Sequence, residues 1–362
     1  MAASTPPHIA VIGSGVAGAS TAFALARAGA RVTVIDAALD GSATPAGAGI
    51  IMPWASSHAT GAFYDLYAAG ADYYPQLIAE LAAAGVEDVD YRVTGGLIVN
   101  DDAGLLRTTS ERLSARISTS AVAGTLRRVD ADEAHGLFPP LRPGLSGLHL
   151  SGGARVDGRS LREGLLRAAA ACGAESIEAT AGLAPPTTSP GVPGVIAGEH
   201  TLAVDAVVVA AGVWTEQVLA PLGVGTGVVP QRGQILHLRA DGHATDDWPS
   251  VHPLSDVYLV SFGGSRVVFG ATREDGSGLD VRRTAAGHRR LHDGVLDLAP
   301  GLAEATVLET RVGLRPMSPQ ALPLARQVAS GVWVNTGFGP AGLTMGPLVG
   351  ERLARDVLAA TA

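Results

Sequence analysis

Cysteine is almost absent from this sequence, and its scarcity excludes two kinds of structure. The single cysteine, Cys172, has no partner for an internal disulfide, and no cluster of cysteine and histidine has metal-ligand spacing. We therefore expect no metal site. Long apolar runs are missing too. No stretch approaches 18 consecutive apolar residues, so the sequence predicts no transmembrane helix.

Positive charge is also in short supply. Lys and Arg together number 26 against 34 acidic residues, which leaves a formal net charge of −8. This balance disfavours nucleic acid and anionic membranes as bulk partners. The first six residues contain no Lys or Arg, unlike the start of a signal peptide. The composition thus favours a cytoplasmic protein with no nucleic-acid partner.

Aromatic side chains are few, at 4%, whereas hydrophobic residues make up 47% of the chain and glycine contributes 47 positions. A large core is therefore available, and the many small side chains suit helices that pack closely on a sheet. The length of 362 residues is enough for one or two domains.

A dinucleotide-binding pattern opens the chain. The apolar run Ile9–Ile12 predicts a buried parallel strand, and a small-residue helix is expected over 16–28. Between them, Gly13, Gly15 and Gly18 form G-x-G-x-x-G. The first glycine allows the tight turn, the second lets a pyrophosphate approach the backbone, and the third lets the helix lie close to the sheet.

The second predicted strand, Arg31–Asp36, ends in an acid. Asp36 is expected to accept hydrogen bonds from an adenosine ribose, with Ala37 beside it. An acid at this point disfavours a 2′-phosphate, so FAD or NAD is favoured over NADP. Val16 and Ala17 begin the helix whose positive end would hold the pyrophosphate.

Three further segments expose bare backbone to a ligand. Residues 37–54 are mostly small and can run flat against a planar ring, although an ordinary flexible loop is the alternative. The β-branched run after Val204 predicts a second buried strand, and a glycine-rich turn near the C-terminus opens a helix expected over 346–359. A helix start there would stabilise the negative charge of a reduced flavin. The candidate contacts are Ser42, Ala48, Gly49, Ile50, Ala211, Gly212, Trp214, Gly337, Phe338, Gly339, Pro340, Ala341, Gly342, Leu343 and Thr344.

The middle of the chain indicates a mainly antiparallel sheet. Residues 257–272 predict a hairpin that turns at Gly263 and Gly264, and 284–299 predict a helix. Residues 60–85 have helical spacing, which Pro75 is expected to kink or divide.

Taken in order, these segments resemble the D-amino-acid oxidase family of FAD-dependent oxidoreductases, which includes glycine oxidases and D-amino-acid dehydrogenases. The segments that carry the resemblance are Val11–Gly18, Ala48–Ile50, Val209–Trp214 with Pro230–Gln234, Val268–Thr272, and Gly313–Met317 with Thr336–Leu343.

The resemblance implies an α/β fold with two interleaved domains. A Rossmann-type FAD-binding domain is expected to comprise residues 1–55, 150–225 and 310–362. An α+β substrate domain built on a mainly antiparallel sheet is expected to comprise 56–149 and 226–309.

The resemblance also implies two site residues. Arg315 would hold the substrate carboxylate beside the cofactor, since a guanidinium donates two parallel hydrogen bonds to a carboxylate. Tyr258 would reach the same carboxylate, whereas Arg232 is expected to be mainly structural. The chain departs from its relatives at Gly339-Pro340, where glycine-oxidase-like proteins often have a basic residue. It also lacks a cysteine near Met317, so FAD is expected to be noncovalent.

The implied activity is oxidation of a D-amino acid, glycine or an N-alkyl glycine. A hydride would pass from Cα to flavin N5, and the imino acid would hydrolyse to an oxo acid plus ammonia or an amine. No side-chain base is required if the amine binds deprotonated. Three alternatives stay open: a dehydrogenase that uses a quinone or electron carrier instead of oxygen, a cyclic or secondary amino acid as substrate, and a flavin-binding protein without turnover. Assembly into a homo-oligomer also stays open.

Overall fold

The computed structural model describes residues 5–57, 59–185, 191–320 and 322–362. Within these residues the helices are α1 Val16–Arg27, α2 Gly61–Asp72, α3 Tyr74–Ala83, α4 Ala103–Ile117, α5 Ala131–Leu137, α6 Gly158–Ala171, α7 Thr215–Leu219, α8 Ala285–Leu298 and α9 Gly342–Thr361. The strands are β1 His8–Ile12, β2 Arg31–Asp36, β3 Ile50–Ile51, β4 Arg92–Val93, β5 Gly96–Asn100, β6 Leu126–Val129, β7 Ser146–Leu150, β8 Ala154–Arg155, β9 Glu175–Glu178, β10 Ala181–Ala184, β11 Gly194–Ala197, β12 His200–Leu202, β13 Ala206–Val209, β14 Val229–Arg239, β15 Ser250–His252, β16 Tyr258–Phe262, β17 Arg266–Gly270, β18 Thr306–Met317, β19 Leu324–Ala329 and β20 Val332–Thr336.

The nucleotide-binding pattern forms the centre of a six-stranded sheet, in the order β19-β20-β13-β1-β2-β9. The strands are parallel except β19, which is antiparallel to β20. Both central strands, β1 and β13, are apolar and almost wholly buried, as expected of a parallel sheet covered on both faces.

Small residues let the covering helices approach closely. Helix α1 packs against both α6 and α9. At Gly346 and Gly350 of α9, an added Cβ would lie 3.1 Å and 2.8 Å from side-chain carbons of Val16 and Ser20. These two glycines thus allow α9 to pack closely on α1.

The second large sheet has eight strands, in the order β18-β14-β17-β16-β15-β5-β7-β6. Its pairs are antiparallel except β15 with β5. One face packs on α5 and α8, and the other turns Ile235 and Val260 toward Ala48 and Ile50. This confirms the predicted mixed α/β fold with a mainly antiparallel second sheet. Two small sheets, β10-β11-β12 and β3-β8-β4, complete the described strands.

The domain boundaries stay a prediction. Strands β14 to β17 belong to the eight-stranded sheet, as expected for the substrate domain. Strand β18 belongs to that sheet as well, and it runs across residue 310, where the sequence places a boundary.

One helix begins earlier than its sequence indicates. Helix α9 starts at Gly342 rather than near 346, and Pro347 lies inside it. A proline cannot donate to the carbonyl four residues before it, here that of Leu343. The Tyr74 hydroxyl donates to this carbonyl instead, at 2.6 Å. By contrast, the predicted division near Pro75 is confirmed, because α2 and α3 meet at Tyr73.

Candidate active site

One cavity of about 930 Å³ lies where the carboxyl ends of β1, β2 and β13 face the eight-stranded sheet. Nearly all the sequence-predicted site residues line it: Gly13, Gly15, Val16, Ala17, Asp36, Ala37, Ser42, Ala48, Gly49, Ile50, Ala211, Gly212, Trp214, Tyr258, Arg315, Phe338, Gly339, Pro340, Ala341, Gly342, Leu343 and Thr344. Gly18 and Gly337 are not among the lining residues. A Cβ at Gly18 would lie 1.8 Å from the Gly13 carbonyl oxygen, so Gly18 supports the turn from behind.

The glycine turn presents bare backbone at the start of α1. Gly13 has φ +98°, and a Cβ there would meet the Ala210 carbonyl oxygen at 2.5 Å. Gly15 precedes the first residue of α1 and carries no side-chain cap. Thr44 Oγ1 accepts from the Val16 N–H at 2.9 Å. The glycine turn carries no side chain of its own and Thr44 supplies only a hydroxyl at the positive end of α1, so a pyrophosphate fits this turn.

Asp36 is held rigidly at the end of β2. Its Oδ2 accepts from the Ser14 N–H at 2.5 Å and from the Ser14 hydroxyl at 2.8 Å, and its Oδ1 accepts from the Ala38 N–H at 2.7 Å. Arg162 supports the same turn by donating Nε to the Ser14 carbonyl at 2.8 Å. The fixed carboxylate suits the ribose hydroxyls of an adenosine dinucleotide.

The segment of small residues runs close to two other elements. A Cβ at Gly49, where φ is +81°, would lie 1.8 Å from the Val156 carbonyl oxygen. One at Gly47 would lie 2.7 Å from Leu343 Cδ1. The chain from Ala48 to Ile50 thus forms one wall of the cavity, and the turn that starts α9 forms another. A planar ring system fits between such walls.

Arg315 of β18 reaches the cavity without an acidic partner among the described residues. Its Nη1 donates to Gln231 Oε1 and to the Thr272 carbonyl, both at 3.1 Å. The guanidinium lies over Gly233, where a Cβ would be 2.6 Å from Nη2. Burial lowers the pKa of Arg315, and the nearby Tyr258 opposes that shift. The hydrogen bonds that orient this cation go to neutral acceptors, and the nearby Asp275 and Glu274 act on its pKa only through their charge.

Arg232, in contrast to Arg315, is paired with acidic side chains, which fits the structural role that the sequence predicts for it. Its Nη2 lies 2.7 Å from Glu274 Oε2, and its Nη1 lies 2.7 Å from Asp280 Oδ2. It does not line the cavity. The two arginines lie on neighbouring strands, but only Arg315 is available to an external anion.

Tyr258 lies beside Arg315 at the start of β16. The register pairs it with Gly270 of β17, where a Cβ would be 2.8 Å from the Tyr258 hydroxyl. Burial raises the pKa of Tyr258, against the opposing effect of Arg315 and Arg273. The phenol therefore stays protonated at neutral pH and can donate a hydrogen bond.

The sequence interpretation missed Arg273 and Asp256, which also line the cavity. Arg273 Nη2 lies 3.3 Å from Asp256 Oδ1, and the two side chains are 41% and 54% exposed. Arg273 directly follows the matched segment Val268–Thr272, so its position was available in the sequence. It is followed by Glu274 and Asp275, and no local pattern in the sequence marks it as a site residue.

His252 also lines the cavity and was not predicted from the sequence. The register that pairs Val251 with Leu259 sets it opposite Tyr258 on the cavity side of the sheet. Ser250 Oγ lies 3.0 Å from its Nε2. Burial lowers the pKa of His252 to about 4, so it is neutral at physiological pH.

The part of the chain that the structure describes also bears on metal-ligating clusters and on cysteine at the cavity. It contains no group of three or more His, Cys, Asp and Glu side chains that could hold a metal ion. Cys172, at the C-terminal end of α6, is half-buried and does not line the cavity. Among the described helices, none combines the length and apolar character that a membrane crossing needs.

Comparisons with known proteins bear on the family of this chain. A family model described as DAO, FAD-dependent oxidoreductase, matches residues 8–355. An uncharacterized oxidoreductase, YurR, of Bacillus subtilis is 42% identical over 96% of this chain and 94% of its own length. A glycine oxidase of Pseudomonas putida is 31% identical over 94% of this chain and 91% of its own. Among solved structures, an iminodiacetate oxidase from Chelativorans sp. BNC1 is 44% identical, with a TM-score of 0.93 over 97% of this chain and 95% of its own.

Proposed function

The chain belongs to the DAO family of FAD-dependent oxidoreductases, and we propose that it oxidises a small amino acid that carries a second carboxylate, with an imino diacid as the favoured substrate. Such a molecule is an N-alkyl glycine, one of the three substrate classes that the sequence leaves open. FAD is the cofactor of this family, and the glycine turn and Asp36 fit its pyrophosphate and ribose.

The observation that carries the proposal is a pair of guanidinium groups on one cavity. Arg315 is half-buried and forms no ion pair with an acidic side chain among the described residues, whereas the side chain of Arg273 is 41% exposed. Arg273 also lowers the pKa of Arg315, as expected when two cations share a poorly solvated space. A substrate with two carboxylates can contact both guanidinium groups, whereas a substrate with one can contact only one of them.

Arg315 and Tyr258 suit the carboxylate next to the reacting carbon. Two N–H donors of the guanidinium and the phenol O–H can all donate to one carboxylate, which fixes its position and its plane. The Gly339-Pro340 turn adds no charge there, so the second carboxylate has Arg273 as its partner. The 44% identity to a protein named iminodiacetate oxidase supports the same assignment.

The protein residues orient the substrate and control its charge. Bound FAD would supply the acceptor for the hydride that leaves Cα. His252, whose pKa burial lowers to about 4, is too weak a base to take a proton from an ammonium group, and Tyr258 is itself protonated. The amine is therefore expected to bind deprotonated. The protein contributes to catalysis in two ways. Arg315 orients the substrate, and the positive end of α9 at the cavity wall would stabilise the negative charge of a reduced flavin.

The products follow from the chemistry of the substrate. Loss of a hydride from Cα and a proton from nitrogen turns the Cα–N bond into C=N. Water then cleaves this imine to an oxo acid and an amine, which for iminodiacetate are glyoxylate and glycine. The electrons leave through oxygen or through a quinone or carrier, and the experiment below separates these routes.

The test is the visible spectrum of the purified holoenzyme without oxygen. We expect iminodiacetate to bleach the flavin at lower concentration than glycine, sarcosine, D-proline or other D- and L-amino acids. Fast recovery in air indicates an oxidase, and slow recovery indicates a dehydrogenase. A flavin that responds to glycine or a D-amino acid but not to iminodiacetate would contradict the diacid proposal. A flavin that no substrate bleaches would favour binding without turnover.

A further inference from the structure

Tyr67 of α2 lines the cavity, and it is neither among the predicted cofactor contacts nor one of the carboxylate ligands. We propose that Tyr67 accepts a hydrogen bond from the substrate amine: its own O–H is engaged by Thr344, so its oxygen receives the substrate N–H and favours amines whose nitrogen carries a hydrogen. This inference rests on the proposed function, because it needs an amine beside the carboxylate that Arg315 binds.

The first support is where the fold holds Tyr67. Helix α2 packs on α9 at Gly70, where an added Cβ would lie 2.5 Å from the Thr344 carbonyl oxygen and 3.1 Å from Met345 Cα. Tyr67 lies three residues before Gly70, so the two share one side of α2. The close crossing therefore sets the Tyr67 side chain against the start of α9. Its ring packs 5.9 Å from that of Phe63, which also lines the cavity.

The second support is a chain of hydrogen bonds that fixes the direction of the Tyr67 proton. Thr344 is almost fully buried, and its Oγ1 donates to the Ile50 carbonyl at 3.3 Å. Burial raises the pKa of Tyr67, a hydrogen bond with the Thr344 side chain opposes that shift, and the nearby Tyr258 adds to it. The phenol is therefore protonated at neutral pH. A hydroxyl has one hydrogen, so a Thr344 hydroxyl that donates to Ile50 accepts from Tyr67.

This chain leaves Tyr67 with an acceptor oxygen and no donor toward the cavity. A phenol oxygen whose hydrogen is engaged elsewhere keeps its lone pairs. It cannot form a hydrogen bond with a carboxylate, because an ionised carboxylate has only acceptors as well. A deprotonated imino diacid consists of two carboxylates and one amine. Its N–H is therefore the one donor that the Tyr67 oxygen can receive.

The third support is that the chain joins the two walls of the cavity. Ile50 belongs to one wall, and Thr344 belongs to the first turn of α9, which forms the other. A planar ring fits between these walls, so Tyr67 lies beside the space where the reacting carbon meets that ring. Tyr258 is near enough to act on the pKa of Tyr67, so the two phenols face one part of the cavity. Such proximity is required, because the carboxylate and the amine are both bonded to Cα.

A hydrogen bond from the amine to Tyr67 would also orient the nitrogen. The nitrogen lone pair becomes the second bond of C=N, so it must be aligned with the Cα–H bond that breaks. An N–H held by Tyr67 fixes the rotation about the Cα–N bond. Positive charge grows on nitrogen as the hydride leaves, so the hydrogen bond is stronger in the transition state than in the ground state. A tertiary amine gains neither effect.

The experiment compares Tyr67→Phe with the wild-type holoenzyme on a matched pair of ligands. Thiodiacetate has the two carboxylates of iminodiacetate but a sulfur in place of the N–H. We expect kcat/KM for iminodiacetate to fall roughly 2- to 12-fold, the factor that corresponds to one neutral hydrogen bond. The Kd for thiodiacetate, measured from the change that it causes in the flavin spectrum, should stay unchanged.

Thr344 acts through Tyr67 as a positioning residue, and a double-mutant comparison tests this role. Thr344→Val removes the hydroxyl that receives the Tyr67 proton. It should therefore lower kcat/KM for iminodiacetate by a larger factor in the wild-type background than in Tyr67→Phe. Any effect of Thr344→Val through the flavin is common to both backgrounds. Thr344→Ser keeps the hydroxyl and should retain the wild-type value.

Tyr64 provides a matched control on the same helix. It is half-buried, its hydroxyl has no hydrogen-bond partner among the described residues, and it does not line the cavity. Tyr64→Phe thus removes a phenol hydroxyl from α2 without changing the site, and it should leave kcat/KM and Kd unchanged. The flavin spectrum and the thermal unfolding midpoint of each variant verify that it is folded and loaded.

The outcomes distinguish this inference from the proposed function. If wild type oxidises sarcosine but not iminodiacetate, the diacid function fails, and sarcosine with methylthioacetate becomes the matched pair for Tyr67. The Tyr67 inference fails if Tyr67→Phe leaves kcat/KM for the amine unchanged, or if it weakens binding of the sulfur analogue by the same factor. The role of Thr344 fails if Thr344→Val has the same effect in both backgrounds.

Discussion

Replacing Gly233 by alanine tests whether Arg315 is positioned by the backbone beneath it. The guanidinium of Arg315 lies against Gly233, and a Cβ there would be 2.6 Å from Nη2 and 2.7 Å from Cζ. Ordinary Cβ contacts begin near 3.4 Å, so the guanidinium must retreat by about 0.8 Å. Because it is the end of a flexible side chain, we expect the fold to survive the substitution.

The magnitude follows from the hydrogen bonds that such a shift disturbs. Both contacts of Nη1, to Gln231 and Thr272, are already 3.1 Å long. A hydrogen bond to a charged group contributes about 1.5–3 kcal/mol, so weakening one between Arg315 and a substrate carboxylate raises KM roughly 10- to 100-fold. The effect should be larger on KM than on the amount of bound flavin.

The assay is steady-state kinetics with iminodiacetate, alongside flavin content from the visible spectrum. Gly182→Ala is the matched control, because Gly182 lies in strand β10 and the nearest atom to its added Cβ is 4.0 Å away. It should leave KM unchanged. If Gly233→Ala also leaves KM unchanged while the protein is folded and yellow, then the backbone does not position Arg315 and the reasoning is refuted.

Three other predictions concern binding, the helix α9 and acid stability. Arg315→Ala should raise KM on the order of 100-fold or more through the lost charged hydrogen bonds, with the flavin spectrum retained; unchanged kinetics would exclude it from substrate binding. Tyr74→Phe leaves the Leu343 carbonyl without its donor. The free energy of unfolding, measured in urea, should therefore be lower by about 1–3 kcal/mol. An unchanged free energy would refute this account of how the helix accommodates Pro347. Burial lowers the pKa of His237 to about 3 and that of His252 to about 4, so the unfolded chain binds protons more readily than the folded one. The free energy of unfolding should therefore fall as the pH drops from about 6.5 toward 4. In His237→Phe the free energy of unfolding should depend less steeply on pH over this range. An equal dependence on pH in the variant and the wild type would contradict this explanation.

The cofactor side of the site could be predicted from sequence because its information is local. Gly13, Gly15 and Gly18 act through backbone conformation and close approach, which depend on the residue itself and its spacing. The acid that ends β2 is equally local. Family similarity then supplied Arg315 and Tyr258, which lie far apart in sequence and share no local pattern.

The substrate side could be predicted only in part, because tertiary structure assembles it. Asp256 lies in the connection between β15 and β16, and Arg273 follows β17; only the sheet brings them to one cavity. Each looks like an ordinary surface charge in the sequence. The sequence places the start of α9 too late for a similar reason. The hydroxyl that donates to the Leu343 carbonyl in place of Pro347 belongs to Tyr74, which lies 273 positions before the proline.

The most direct test of the central claim is a crystal structure of the FAD-loaded protein with thiodiacetate, in which sulfur replaces the oxidisable amine of iminodiacetate. We predict one carboxylate on Arg315 and Tyr258 and the other on Arg273. A complex in which the second carboxylate lies away from Arg273 would contradict the account.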